Sequence, residues 1–283
     1  MNPRNAAAAI GLTAFAMFSA TSFAAAEKKD VQAIESAVSG SWRTADAKER
    51  DSQRHPVDAL EFWGLKPGAT ILEVQPGGGW WTEILAPYLA ATGGRYIATG
   101  ADLADPNISE RAKAGRAAFL AKYADKSVYG DVSVAGFGKV SGPLAPAGTV
   151  DLILVSRAIH NWAQQDGLTQ KYFGDFKAAL KPKGFLAIED HRAPDGADPK
   201  AANGYISEAW IIDQAKQAGL RLDARAEINA NPKDTKDHPF GVWTLPPTRQ
   251  TAPSGQPANP AFDRTKYDAI GESDRMTLRF AKA

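Results

Sequence analysis

Thr70–Thr82, TILEVQPGGGWWT, decides how this chain folds. Ile71, Leu72 and Val74 form a short apolar run that reads as a buried strand with Glu73 toward its carboxyl end. Gly77, Gly78 and Gly79 follow as a loop free of Cβ atoms, and Trp80 opens a new periodic segment. A strand entering a glycine turn and then a helix is where open α/β sheets hold nucleotide-like cofactors. Backbone without side chains can approach a ligand closely there.

The spacing separates the rival loops that share this position. A P-loop needs Gly, four residues, then Gly-Lys-Ser/Thr, and the chain has no such run. A dinucleotide fingerprint starting at Gly77 and Gly79 needs a third glycine where Thr82 stands. An acidic residue followed by spaced glycines, with Glu73, Gly77 and Gly79 in register, resembles the class I S-adenosylmethionine (SAM) methyltransferases; Gln75 stands where that family usually has its first glycine. A tight turn packing helix on strand is the purely structural alternative. The resemblance runs from about Arg54 to Phe280. Leu65-Lys-Pro-Gly-Ala-Thr-Ile leads into the first strand, Asp151-Leu-Ile-Leu-Val looks like the fourth, and Leu180-Lys-Pro-Lys-Gly-Phe-Leu-Ala-Ile looks like helix, turn and fifth strand. More narrowly, RHP at Arg54, PGGGWWTEILAPYL from Pro76, NPKD from Asn231 and SDRMTLRF from Ser273 resemble a group of exported bacterial methyltransferases known only by family likeness.

The resemblance implies a doubly wound, Rossmann-like α/β sheet of about seven strands, mostly parallel with an antiparallel last strand. It implies SAM as cofactor, held by Glu73, Gln75, Gly77, Gly78 and Gly79. The acidic residue expected after the second strand, which holds the ribose hydroxyls, has a displaced candidate in Asp102, whose alternative role is capping. Ser156–Trp162 after the fourth strand would border the transferring methyl group. His160 is the candidate general base, since its ordinary pKa lies near neutrality, and Asn161 would position a substrate. Trp81, Trp162, Asp190, His191 and His55 are the candidate substrate contacts, with packing, capping or mutual pairing as their alternative roles.

Lys+Arg number 33 against 32 Asp+Glu, so the 283-residue chain lacks the basic surplus of a nucleic-acid binder. Arg4, the apolar stretch Ala6–Phe18 and small residues at Ser22-Phe-Ala or Ala24-Ala-Ala read as a cleaved export signal, giving a mature start at Ala25 or Glu27 and a periplasmic location. No later segment approaches the ~20 apolar residues of a membrane span. With no cysteine the chain can form no disulfide. Four scattered histidines without an HExxH pair predict no metal, and no GxSxG elbow supports a hydrolase.

Residues 1–26 are thus read as signal, 27–64 as a helical arm whose polar stretch Arg43–Arg54 is exposed, and 65–283 as the methyltransferase-like domain with an irregular proline-rich loop at 246–266. Strands are expected at Arg95–Thr99, Val132–Val134, Val150–Val155, Phe185–Glu189, Leu220–Asn229 and Arg275–Phe280. Helices are expected at Trp80–Ala90, Asn107–Tyr123, Thr169–Leu180 and Asn203–Ala218, besides a short one opened by Pro56. The leading functional reading is a periplasmic SAM-dependent methyltransferase acting on a small molecule or an exported acceptor. Its rival is a binding protein that keeps fold and pocket without the reaction; an NAD-linked oxidoreductase comes third.

Overall fold

The computed structural model describes residues 28–200 and 202–283, so the export signal lies outside the described residues. The glycine-loop strand forms as β1 (Thr70–Val74), flanked by parallel strands β2 (Arg95–Ala101) and β4 (Val150–Ser156). A strand with parallel neighbours on both sides must be covered on both faces, and alternation along β1 shows how. Leu72 and Val74 pack in one apolar cluster with Ile153, Val155, Leu186 and Ile188, while Ile71 packs in the other with Leu152, Leu154 and Ala187.

The remaining strands are β3 (Val132–Phe137), β5 (Leu180–His191), β6 (Leu220–Ala226), a short β7 (Pro239–Val242) and β8 (Arg275–Lys282). The sheet order is β3-β2-β1-β4-β5-β8-β6, and β8 runs antiparallel to both β5 and β6. After β3 the chain returns to the other side of β1, so the order reverses between β1 and β4. The glycine loop and the Ser156–Trp162 run both leave the sheet at this switch point. Reversal of β8 matters as much: His191 pairs with Arg275, which brings the start of β8 to the carboxyl edge of the parallel strands.

On one face, α9 (Leu168–Ala179) and α10 (Glu208–Gln217) contribute Phe173, Phe176, Ile211 and Ala215. On the other, α5 (Thr82–Thr92) contributes Ile84, Leu85 and Tyr88 against the amino-terminal helices α1 (28–38), α2 (Ala45–Glu49), α3 (Asp51–Arg54) and α4 (Pro56–Phe62). Short helices α7 (Lys126–Tyr129), α8 (Ile159–Trp162) and α11 (Thr265–Ile270), with α6 (Glu110–Lys122), complete the chain.

The arm corrects the sequence reading. Arg43 and Arg54 are buried, not exposed, each with a carboxylate: Arg43 with Asp51 at 2.7 Å and Arg54 with Glu272 at 2.8 Å. The arm also repairs α5. Pro87 inside that helix has no N–H for the carbonyl of Glu83 four residues earlier, and Trp42 Nε1 donates to that oxygen at 2.8 Å. Trp80 Nε1 donates to the Ala47 carbonyl at 2.8 Å, and Trp63 Nε1 to that of Leu278 at 3.1 Å. Caps set two other boundaries. Ser109 accepts from Ala112 N and Ser207 from Trp210 N, so α6 and α10 begin later than periodicity predicts.

Candidate functional site

A cavity of about 540 Å³ opens at the switch point. Its lining includes Glu73–Gly78 from the glycine loop, Ser156, Arg157, His160 and Asn161 from the β4 exit, and His191 from the end of β5. Thr44, Ala47 and Arg50 of the arm close one side, and Trp243, Pro246, Pro247 and Thr248 close another. The proline-rich loop therefore begins at the cavity wall. A second cavity of about 410 Å³ shares Gln75, Pro76 and Gly77 with the first and extends along Thr99, Gly100, Ala101, Phe119 and Phe137.

The glycine loop keeps the backbone its motif requires. Gln75 sits at φ 49°, in the left-handed region favoured by glycine, and Gly77 and Gly79 lie at 56° and 85°. Gln75 occupies this conformation pinned at both ends: its N–H donates to Thr99 Oγ1 at 2.7 Å, and its Oε1 accepts from Trp162 Nε1 at 3.0 Å. Such a residue costs about 1–2 kcal/mol, which the two bonds offset. A Cβ on Gly79 would lie 1.7 Å from the Tyr123 hydroxyl, whereas one on Gly78 would meet no protein atom within 4 Å. Gly79 is small for packing, and Gly78 is small toward the cavity.

Glu73 accepts from Tyr96 Oη at 2.6 Å and Thr82 Oγ1 at 2.9 Å. Complete burial pushes its carboxyl up to about 7 against the lowering effect of these two hydrogen bonds. His160 is buried, with Nδ1 2.8 Å from Asp190 Oδ1. Asp190 has no exposed surface and also accepts the backbone N–H groups of Ile159, His160 and His191. It is thus a positioning group behind His160 and not a substrate contact. His191 Nδ1 lies 2.5 Å from Ser273 Oγ, and burial, with His160 and the guanidiniums of Arg157, Arg275 and Arg54 nearby, holds its pKa well below the ordinary histidine value.

Gln75, Gly77, Gly78, Glu73, Trp81, His160, Asn161 and His191 meet at one cavity. Five other candidates do not: Gly79 and Asp190, as just described, and Trp162, Asp102 and His55. Trp162 packs in the core against Phe137, Tyr172 and Phe176. Asp102 caps its own turn by accepting from Ala104 N at 3.0 Å, lies against Gly136, and reaches neither cavity. His55, at φ 43°, bonds Asn229 and lines a different cavity between the arm and the 268–273 turn.

The cluster that sequence reasoning missed lies under the cavity floor. Arg54 and Arg275 share Glu272, and Arg275 also pairs with Glu189 at 2.5 Å. Ser156 Oγ donates to the second Glu189 oxygen at 2.8 Å. All four charged groups are buried. Arg157 adjoins them: burial, then Arg54, pushes its guanidinium down to about 10 against the raising effect of Glu189 and Glu272. A sequence signal for Arg157 existed, since it follows an apolar strand directly.

No family model matches the chain, and no curated protein matches it. Among solved structures it is similar to the (4+2) cyclase SpnF, at 13% identity over 86% of this chain and 84% of that one, TM-score 0.50. It is also similar to a SAM-dependent methyltransferase from Aquifex aeolicus, at 22% identity over 65% of this chain and 92% of that one, TM-score 0.46. A third is the 1,6-didemethyltoxoflavin-N1-methyltransferase from Burkholderia thailandensis, with bound 1,6-didemethyltoxoflavin and S-adenosylhomocysteine, at 14% identity over 99% of this chain and 94% of that one, TM-score 0.44. The likeness to SpnF is one of fold, and in this chain that fold is a Rossmann-like sheet with its late strand reversed.

Proposed function

We propose that the chain is a periplasmic SAM-dependent methyltransferase acting on a small molecule or an exported acceptor. The observation that carries the enzyme reading is the loop at Gln75–Gly79. It holds left-handed backbone at three positions, leaves Gly78 open to the cavity, and joins two cavities at the sheet's switch point. The periplasmic part is supported by the Arg4 to Ala26 export pattern alone. Among the described residues no helix is long and apolar enough to cross a membrane.

The two cavities suit the two ends of such a cofactor. Glu73 and the Gly77–Gly78 backbone would hold the amino-acid end, and the half-apolar cavity along Ala101, Phe119 and Phe137 would hold the adenosyl end. When bound, the sulfonium cofactor supplies an electrophilic methyl group. His160 then serves as the base, for with Nδ1 turned to Asp190 its Nε2 takes the proton from the acceptor atom. Arm residues Thr44, Ala47 and Arg50 and the Trp243 loop wall the same space.

One observation favours the binding-protein reading: no carboxylate lines the second cavity, and Asp102 is turned to its own loop. Calorimetric titration with SAM and S-adenosylhomocysteine, followed by tracing of labelled methyl groups into periplasmic extract, separates the readings. Binding with transfer is expected. Binding without transfer to any component would favour the rival, and no binding of either molecule would remove both the cofactor and the enzyme assignment.

A further inference from the structure

The charged groups around the switch-point cavity divide by whether the protein itself satisfies them. Lys122 and Glu83 pair at 2.9 Å, Glu73 is held by Tyr96 and Thr82, and Asp190 is filled by four N–H groups. Beneath them Arg54 and Arg275 both pair with Glu272, and Arg275 also with Glu189. Arg157 differs. Among the described residues its guanidinium makes no hydrogen bond and no ion pair, its Nε is buried without a partner, and it lines the cavity. Its backbone is fixed at φ 54°, with its N–H donating to the Glu189 carbonyl at 2.7 Å. A non-glycine residue held in left-handed backbone at a cavity is an outlier that asks for a functional reason.

We infer that Arg157 is the anchor for a carboxylate group on the molecule that acts in this cavity, beside His160 and His191. The inference rests on the methyltransferase reading only for what happens to that molecule. A guanidinium presents a planar fork of N–H donors that matches a carboxylate, and desolvation in the cavity strengthens that pairing while leaving the unpaired cation at a cost. His160 and His191 flank the same space, so a bound carboxylate would set the rest of the acceptor against the His160 Nε2 edge.

The competing occupant is a metal ion, since ligand atoms of His160, Asp190 and His191 lie within 4.8 Å of one another. Three facts weigh against it. His160 Nδ1 and Asp190 Oδ1 are spent on each other, His191 Nδ1 is spent on Ser273, and the guanidiniums of Arg157 and Arg275 act repulsively on charge at His191. An anion gains from the guanidiniums where a divalent cation loses.

The test uses benzoate and benzamide, which share a shape and differ in charge, titrated calorimetrically into the full mature protein with and without saturating S-adenosylhomocysteine. At least tenfold tighter binding of benzoate is expected, with the preference reduced below about twofold in Arg157→Gln and partly kept in Arg157→Lys, while S-adenosylhomocysteine affinity stays within about twofold. Equal binding of the two probes by the parent, or binding of neither, overturns the inference, as does an undiminished preference in folded Arg157→Gln. If Arg157→Gln does not fold, the parent comparison and Arg157→Lys still decide. Failure of S-adenosylhomocysteine to bind would overturn the methyltransferase reading while the arm without it still reports on Arg157.

Discussion

Asp190 holds His160 twice: Oδ1 lies 2.8 Å from the ring Nδ1, and Oδ2 accepts the backbone N–H of Ile159 at 2.8 Å and, more loosely, that of His160 itself at 3.4 Å. One fully buried carboxylate therefore fixes both the turn after β4 and the ring it presents. A carboxylate only accepts, so Nδ1 carries the proton and Nε2 remains for a ligand. Asp190→Asn places an amide against those donors. We expect a loss of ~1–3 kcal/mol in stability, the usual cost of an unsatisfied buried group. The 15N spectrum of His160 should also shift toward the Nε2–H tautomer. An unchanged tautomer in the folded variant would deny Asp190 its positioning role.

For His160 itself the expectation is kinetic. His160→Ala should lower methyl transfer by ~10²-fold or more with little change in SAM affinity, because proton removal acts in the transition state. His160→Gln should be similarly impaired, since it keeps bulk and polarity without a base. Full activity in His160→Ala would strike the residue from the catalytic list, and full activity in His160→Gln alone would leave it a shaping role.

Gly78 and Gly79 are adjacent and should fail differently. Gly78→Val places its branched side chain in the cavity, where a Cβ meets no protein atom. It should keep its circular dichroism spectrum and bind S-adenosylhomocysteine at least tenfold more weakly. Gly79→Ala must displace the Tyr123 hydroxyl and adopt φ 85°. Chemical denaturation should show it destabilised by about 2 kcal/mol or more. Parent-like binding by Gly78→Val would take this loop out of the site.

What was legible in the sequence was local. The β1 run, its glycine turn and the histidine after β4 each occupy a few consecutive residues whose periodicity and residue types point to one structure. Arg54 and Glu272 are 218 positions apart and meet only because β8 runs backwards between β5 and β6, returning its start to the site edge. No periodicity encodes that meeting. The RHP, NPKD and SDRMTLRF motifs nevertheless came from this region: Arg54 and Arg275 converge on Glu272, while Asn231 bonds the Glu272 carbonyl and Asp274. Two of the misplacements have the same long-range origin, while that of Asp102 is local. Asp102 is diverted by an Asx turn, His55 by Asn229, and Trp162 by the bond to Gln75 that holds the glycine turn open.

Glu73 makes the chain's stability depend on pH in a direction opposite to that of a salt-bridged acid. Burial raises its carboxyl from the ordinary value of 4.5 to about 7, so the folded state binds its proton more tightly than the unfolded state does. Its contribution to stability is therefore complete below pH ~4.5 and is lost as pH rises through about 7. The full span is on the order of 3 kcal/mol. Glu73→Gln keeps an acceptor for Tyr96 Oη and removes the ionisation. Urea denaturation at pH 5 and pH 8.5 should show the parent losing stability relative to this variant at the higher pH, with the two close at the lower. The same slope in both proteins would mean that Glu73 stays ionised in the fold. In that case its carboxylate would already be poised for a cationic group without releasing a proton, and calorimetry of SAM binding at pH 6 in buffers of different ionisation heat would show no proton release.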